Sequence, residues 1–213
     1  AAGELEIKGV EDSDTAVITG RVCVSDEEWL EGSGVETQGG DRAEINVVLN
    51  KDDDGWSFSG QSYAYLDLEL EVPRRISLEV KDSSGEMRIK GVGDLAVQDS
   101  SGEIRIADNA GSISIEDSSG DIEIEGVAGD LTIESDSSGG IYGEDIDGAV
   151  LVERDSSGDI RFTDVGKDVI VERDSSGSIT VVDVGGDFRV LKDGSGNIRS
   201  SNVEGETELP DDH

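Results

Sequence analysis

Through the second half of the chain, apolar and polar positions alternate in short runs, and the runs recur. In Gly120-Asp-Ile-Glu-Ile-Glu-Gly126, Ile122 and Ile124 alternate with Asp121, Glu123 and Glu125. After Val127 and the turn Gly129-Asp130, Leu131 and Ile133 alternate again around Thr132. Period-two alternation bounded by Gly, Asp and Ser predicts half-buried strands rather than helices. The same pair of runs returns as Ile104/Ile106 with Ile113/Ile115, Ile160/Phe162 with Val169/Val171, and Ile179/Val181 with Phe188/Val190. Val127, Ile146, Val165 and Val184 recur between the two runs and leave room for a third short strand.

The runs are punctuated by Asp-Ser-Ser-Gly at 82–85, 99–102, 117–120, 136–139, 155–158 and 174–177, with a variant at Asp193-Gly-Ser-Gly196. The spacings are 17, 18, 19, 19, 19 and 19 residues, which is a repeat array and not a compositional accident. A unit this small cannot bury its own apolar face, so it must stack on its neighbours. A strand one unit away from its equivalent then pairs with it in parallel, about 4.8 Å distant. The expected fold is all-β: a single-stranded parallel β-helix of ~19-residue coils, right-handed by the crossover rule.

Residues 82–209 carry the regular repeats and 210–213 form a tail. In the last unit the core positions fade to Ile198, Ser200, Thr207 and Leu209, as expected where a stack must be capped and kept soluble. Residues 1–81 lack the strict repeat but keep strand-like runs at 4–10, 16–24, 43–49 and 63–72. They read as irregular first coils and a cap, continuous with the solenoid.

The run Leu68-Glu-Leu-Glu-Val-Pro73, then Ile76-Ser-Leu-Glu-Val80, then serial Ser-Gly-Asp/Glu-Ile-x-Ile units resembles the bacterial β-strand-repeat adhesin family. Leu5-Glu-Ile-Lys-Gly-Val10 and Ile18-Thr-Gly-Arg-Val-Cys-Val24 resemble that family's N-terminal strands. The resemblance covers nearly the whole chain. It implies an exported, envelope-associated domain of unknown function, related to auto-transporter-adhesin heads. It supplies no catalytic residues, and fold alone does not supply function.

Charge narrows the partners. Against 17 Lys and Arg stand 51 Asp and Glu, a net charge of -34. Clustered cations for phosphate are missing, so nucleic acid is not an expected partner, and an anionic membrane surface would repel the chain. No apolar run is long enough for a membrane-spanning helix, so no membrane insertion is expected. Cys23 is the sole cysteine, which leaves no internal disulfide and no thiolate metal cluster, and the sole histidine, His213, is the last residue, a place ill-suited to a Ser-His-Asp triad or a His-ligated zinc site. The start Ala1-Ala2-Gly3 matches what signal peptidase leaves, so the expected location is outside the cytoplasm: extracellular, cell-surface or periplasmic.

Four features are candidate sites. Asp82, Asp99, Asp117, Asp136, Asp155, Asp174 and Asp193 occupy one turn position in successive coils, so their carboxylates stack. As Asx-turns they would accept N–H bonds from the following Ser and Gly; as a cation site they would offer hard oxygen ligands to Ca²⁺. The turn role is the expectation. Asp52, Asp53 and Asp54 also suggest a calcium loop but lack EF-hand spacing, so a solvated hairpin turn is expected there. Trp56/Phe58 and Tyr63/Tyr65 flank a predicted hairpin, where they either close the core or contact a glycan or partner; core closure is expected. Arg88, Arg105, Arg161 and Arg199 share one outward position with Glu123, and Arg154, Arg173 and Lys192 share another beside Glu153 and Glu172. These columns are expected to pair with acidic neighbours, with a binding stripe as the alternative. Cys23 lies opposite the face of Val22 and Val24, either covered by another segment or a free thiol.

An enzyme needs convergent groups in a cleft, and this array spaces its carboxylates evenly with almost no insertions. The expectation is therefore a non-enzymatic adhesion or interaction scaffold whose partner is a surface protein or glycan. The alternatives are a self-associating subunit of fibres or a surface layer, and a divalent-cation or polysaccharide binding module.

Overall fold

The computed structural model describes residues 3–39, 43–50 and 63–210. It is all-β, a β-solenoid of about seven turns of about 19 residues each. The N-terminal part forms β1 (Leu5–Val10), β2 (Val17–Val24), β3 (Gly34–Gln38), β4 (Glu44–Val48) and β5 (Ala64–Pro73), with a four-residue 3₁₀ turn at Glu27–Leu30. Next come β6 (Leu78–Lys81), β7 (Met87–Lys90) and β8 (Leu95–Gln98). From there each coil repeats a longer first strand, such as Ile122–Val127, and a shorter second one, such as Leu131–Ser135.

First strands stack into one parallel sheet and second strands into another. Ile104, Ile122, Ile141, Ile160, Ile179 and Ile198 pair in one rung line, and Leu95, Ile113, Leu131, Val150, Val169 and Phe188 in the other. The alternation read from sequence decides which side chains meet between the sheets: Ile122, Leu131, Ile133 and Phe162 are fully buried, as are Val169 and Ile179. Thr132 and Glu123 project outward.

Val127, Ile146, Val165 and Val184 form no third strand. They pair with one another at the ends of the first strands and are buried. Each chain bend just before them is a left-handed residue: Gly126 (φ 72°), Asp145 (59°), Asp164 (55°) and Asp183 (56°). Asp and Gly are among the residues that tolerate this conformation, which accounts for one recurrent acidic position per coil.

The N-terminal end departs from chain order. β1 inserts between β5 and β7, parallel to both, with Leu5 opposite Leu68 and Met87. Beyond β5 the sheet ends in β2, which runs antiparallel. β3 and β4 form a separate hairpin, and Val35, Ile45, Val47 and Leu49 pack on the end of the core.

Candidate functional site

The Asp-Ser-Ser-Gly turn is the structural unit that repeats most strictly, and each of its residues has a task. The Asp carboxylate accepts an N–H bond from a following serine: Ser100 to Asp99 at 2.8 Å, Ser138 to Asp136 at 3.2 Å, Ser157 to Asp155 at 3.2 Å and Ser176 to Asp174 at 3.1 Å. The second serine's hydroxyl donates to the first serine's carbonyl one coil earlier, as from Ser119 to Ser100 (3.2 Å) and Ser157 to Ser137 (3.1 Å). The glycine N–H donates to the next coil's serine carbonyl, as from Gly120 to Ser138 at 2.9 Å. The turn is therefore stitched along the stack as well as closed on itself.

The aspartates point inward. Asp99, Asp117, Asp136, Asp155, Asp174 and Asp193 are all buried, Asp136, Asp155 and Asp174 to 1 % exposure, while Asp82 at the head of the column is half-buried. The Oδ2 atoms of Asp99, Asp136, Asp155 and Asp174, and both oxygens of Asp117 and Asp193, find no hydrogen-bond partner. Asp136 and Asp155 are bridged in parallel through their backbones, so adjacent carboxyls sit one rung apart. Burial, followed by the charge of Asp99, pushes the Asp117 carboxyl up to about 6. Burial and the neighbouring Asp117 raise Asp136 to about 6, and burial with Asp174 and Asp136 on either side raises Asp155 to about 7. Asp99 and Asp174 are raised for the same reason, burial first.

The sequence reading found this column and its Asx-turn bonds, though the donors are the serines and not the glycines. It missed the burial. The signal was present in the early coils: Leu95, Val97 and Asp99 stand at successive alternate positions, which puts the carboxyl on the core face. In later coils an extra residue, seen as a register shift where Glu116 faces Ser135, interrupts that alternation and hides the relationship.

Other acidic side chains are used at the corners. Asp94, Asp130, Asp168 and Asp187 each accept the N–H of the equivalent residue one coil later, at 2.8–3.0 Å. These corner carboxylates are thus committed to backbone satisfaction. Among the described residues, no group of three or more His, Cys, Asp or Glu side chains is arranged to hold a metal ion. Asp52, Asp53 and Asp54 lie outside the described residues, as do Trp56 and Phe58.

The outward basic column is in register: Arg88, Arg105, Glu123, Tyr142, Arg161, Thr180 and Arg199 lie on successive rungs. Arg105 bonds Glu123 at 2.9 Å and also pairs with Glu86 and Glu103, while Arg88 pairs with Glu4 and Glu86. Arg161 and Arg199 make no ion pair among the described residues, and both are exposed. Arg154, Arg173 and Lys192 occupy equivalent places in successive coils and are likewise exposed. Tyr63 and Tyr65 do not close the core. The buried side chains of β5 are Leu66, Leu68, Leu70 and Val72, so Tyr65 takes the opposite face, with its ring 5.9 Å from that of Tyr63. Cys23, opposite Tyr65 in the β2–β5 pair, is a half-buried free thiol.

Comparison with protein-family models, with curated proteins and with solved structures returned no match for this chain.

Proposed function

We propose that the chain is a non-enzymatic scaffold that acts at the bacterial cell envelope or outside the cell, presenting its outer faces to a surface protein or glycan. One observation supports this reading above others: an uninterrupted stack holds the outward column from Arg88 to Arg199 at one-rung spacing, with Tyr142, Arg161, Thr180 and Arg199 contiguous at its end. Such a surface offers many weak, regularly spaced contacts in place of one deep pocket, which suits multivalent attachment. Saturable binding of the purified protein to isolated bacterial envelope fractions is expected, weakened in an Arg161→Glu/Arg199→Glu variant of unchanged circular dichroism. A monodisperse protein that binds none of these fractions overturns the reading.

The alternative is a subunit that assembles into fibres or a surface layer. It is favoured by the last coil, where Ile198–Val203 and Thr207–Glu208 each have a strand partner on one side only among the described residues. Unpaired strand edges are templates for further pairing. Light scattering and negative-stain imaging separate the two: concentration-dependent filaments support assembly.

A further inference from the structure

We infer that the buried aspartate column is a proton-binding ladder, its carboxyls sharing protons between neighbouring coils, and that the solenoid is consequently an acid-stabilised array. Six stacked carboxyls with at least one unpartnered oxygen apiece are enclosed in the stack. Buried polar oxygens without partners are costly, and buried unpaired charge is costlier still. Asp155 and Asp174 hold the same turn position in successive coils, with the Ser175 N–H donating to the Asp155 carbonyl at 3.2 Å, and as carboxylates neither has a hydrogen to donate to the other. One proton between such a pair converts two repelling anions into a donor and an acceptor. The same proton satisfies an orphaned oxygen.

Among the described residues, no Lys or Arg pairs with a carboxyl of the column from Asp99 to Asp193, and the positive charge of the chain's amino terminus acts only on Asp99, where burial outweighs it. Along the column, each member faces the Asp before and after it, beginning with Asp82. Asp121 adds a further negative charge near Asp136. From the two sheets, the nearest inward positions are apolar, as at Ile133, Val152 and Val171 on one side and Ile141, Ile160 and Ile179 on the other. The cations next in sequence, Arg154, Arg173 and Lys192, are exposed. Metal ions are a poorer fit than protons, because no cluster of three acidic ligands converges among the described residues.

The direction of the pH effect follows from linkage. The raised carboxyls bind protons more tightly in the folded chain than in the unfolded one, where an Asp titrates near 3.8, and they rise to about 6 at Asp117 and Asp136 and about 7 at Asp155. The folded state therefore holds extra protons between about pH 4 and pH 7. Stability from the ladder is fully present below that window and is lost as pH rises through it.

The test is urea unfolding at pH 5, 6, 7.5 and 8.5 for the wild type, Asp155→Asn and Glu172→Gln, with infrared spectra of the folded protein. Asn keeps the Asx-turn acceptor and supplies its own donor; Glu172 is an exposed carboxylate that controls for general charge. The wild-type unfolding constant is expected to rise about tenfold per pH unit for each proton lost. Asp155→Asn should flatten that slope by about one proton and be at least as stable as wild type at pH 8.5, whereas Glu172→Gln should keep the wild-type slope. A protonated-carboxyl band should be visible in the wild type at pH 6, and this measurement stands even if the Asn variant fails to fold. The inference is overturned by a wild type that weakens on acidification from pH 7.5 to 5, by Asp155→Asn retaining the full slope, or by absence of the carboxyl band. It is also overturned if Ca²⁺ at pH 8.5 stabilises the wild type, but not Asp155→Asn, beyond an NaCl control of matched ionic strength.

Discussion

A Cβ built on Gly120 would lie 1.6 Å from the carbonyl oxygen of Gly102 in the preceding coil. The same approach recurs from Gly139 to Gly120 (1.8 Å) and from Gly158 to Gly139 (1.5 Å), and Gly120 has φ 131°, where side chains are strained. The closing glycine of each turn is thus required both by conformation and by the close passage of the neighbouring backbone. Gly120→Ala should cost about 3 kcal/mol or more, since backbone strain and steric overlap add. Gly39→Ala, with nothing within 4 Å, should stay within about 0.5 kcal/mol of wild type. Urea midpoints of the two variants provide the check.

Register can be tested at three positions. Val169 and Ile179 are buried at 0 % and 1 % exposure, so Val169→Asp and Ile179→Asp each place an unpaired carboxylate among apolar neighbours. Each should destabilise by about 3 kcal/mol or more. Thr132 faces outward between Ser114 and Leu151, and Thr132→Asp should remain within about 0.5 kcal/mol. Equal shifts in the urea midpoint for all three would contradict the observed register.

Asn109 interrupts an apolar line. It pairs with Val127 at a position where other coils carry Val or Ile, and it is 2 % exposed. Its Nδ2 donates to the Gly111 carbonyl at 2.9 Å, but its Oδ1 has no partner. Removing an orphaned acceptor and filling the space with methyl groups should outweigh one lost bond. Asn109→Val is expected to stabilise by about 1 kcal/mol, read as a higher melting temperature; a lower one would mean that the Gly111 bond holds the corner.

Salt acts on the outer carboxylates and should leave the enclosed ladder largely untouched. A net charge of -34 repels itself in the compact state. Raising NaCl from 0.01 M to 0.1 M shortens the screening length from about 30 Å to about 10 Å. The melting temperature at pH 8 should rise accordingly, and a fall would mean that pairs such as Arg105–Glu123 outweigh the repulsion.

The sequence by itself determined the solenoid, its coil length and the core faces, because alternation and turn spacing are local and repeat with the fold. It located the aspartate column for the same reason. Tertiary structure decided what that column is. Whether Asp155 faces water or the core depends on a bulge one residue long, and whether its oxygens find partners depends on the coil above and below. It also decided that β1 lies between β5 and β7, a pairing of Leu5 with Leu68 and Met87 that no local pattern encodes. An apolar strand specifies that it must be covered on one face, not which neighbours cover it. That choice is made by the competition among all strands for the same edge.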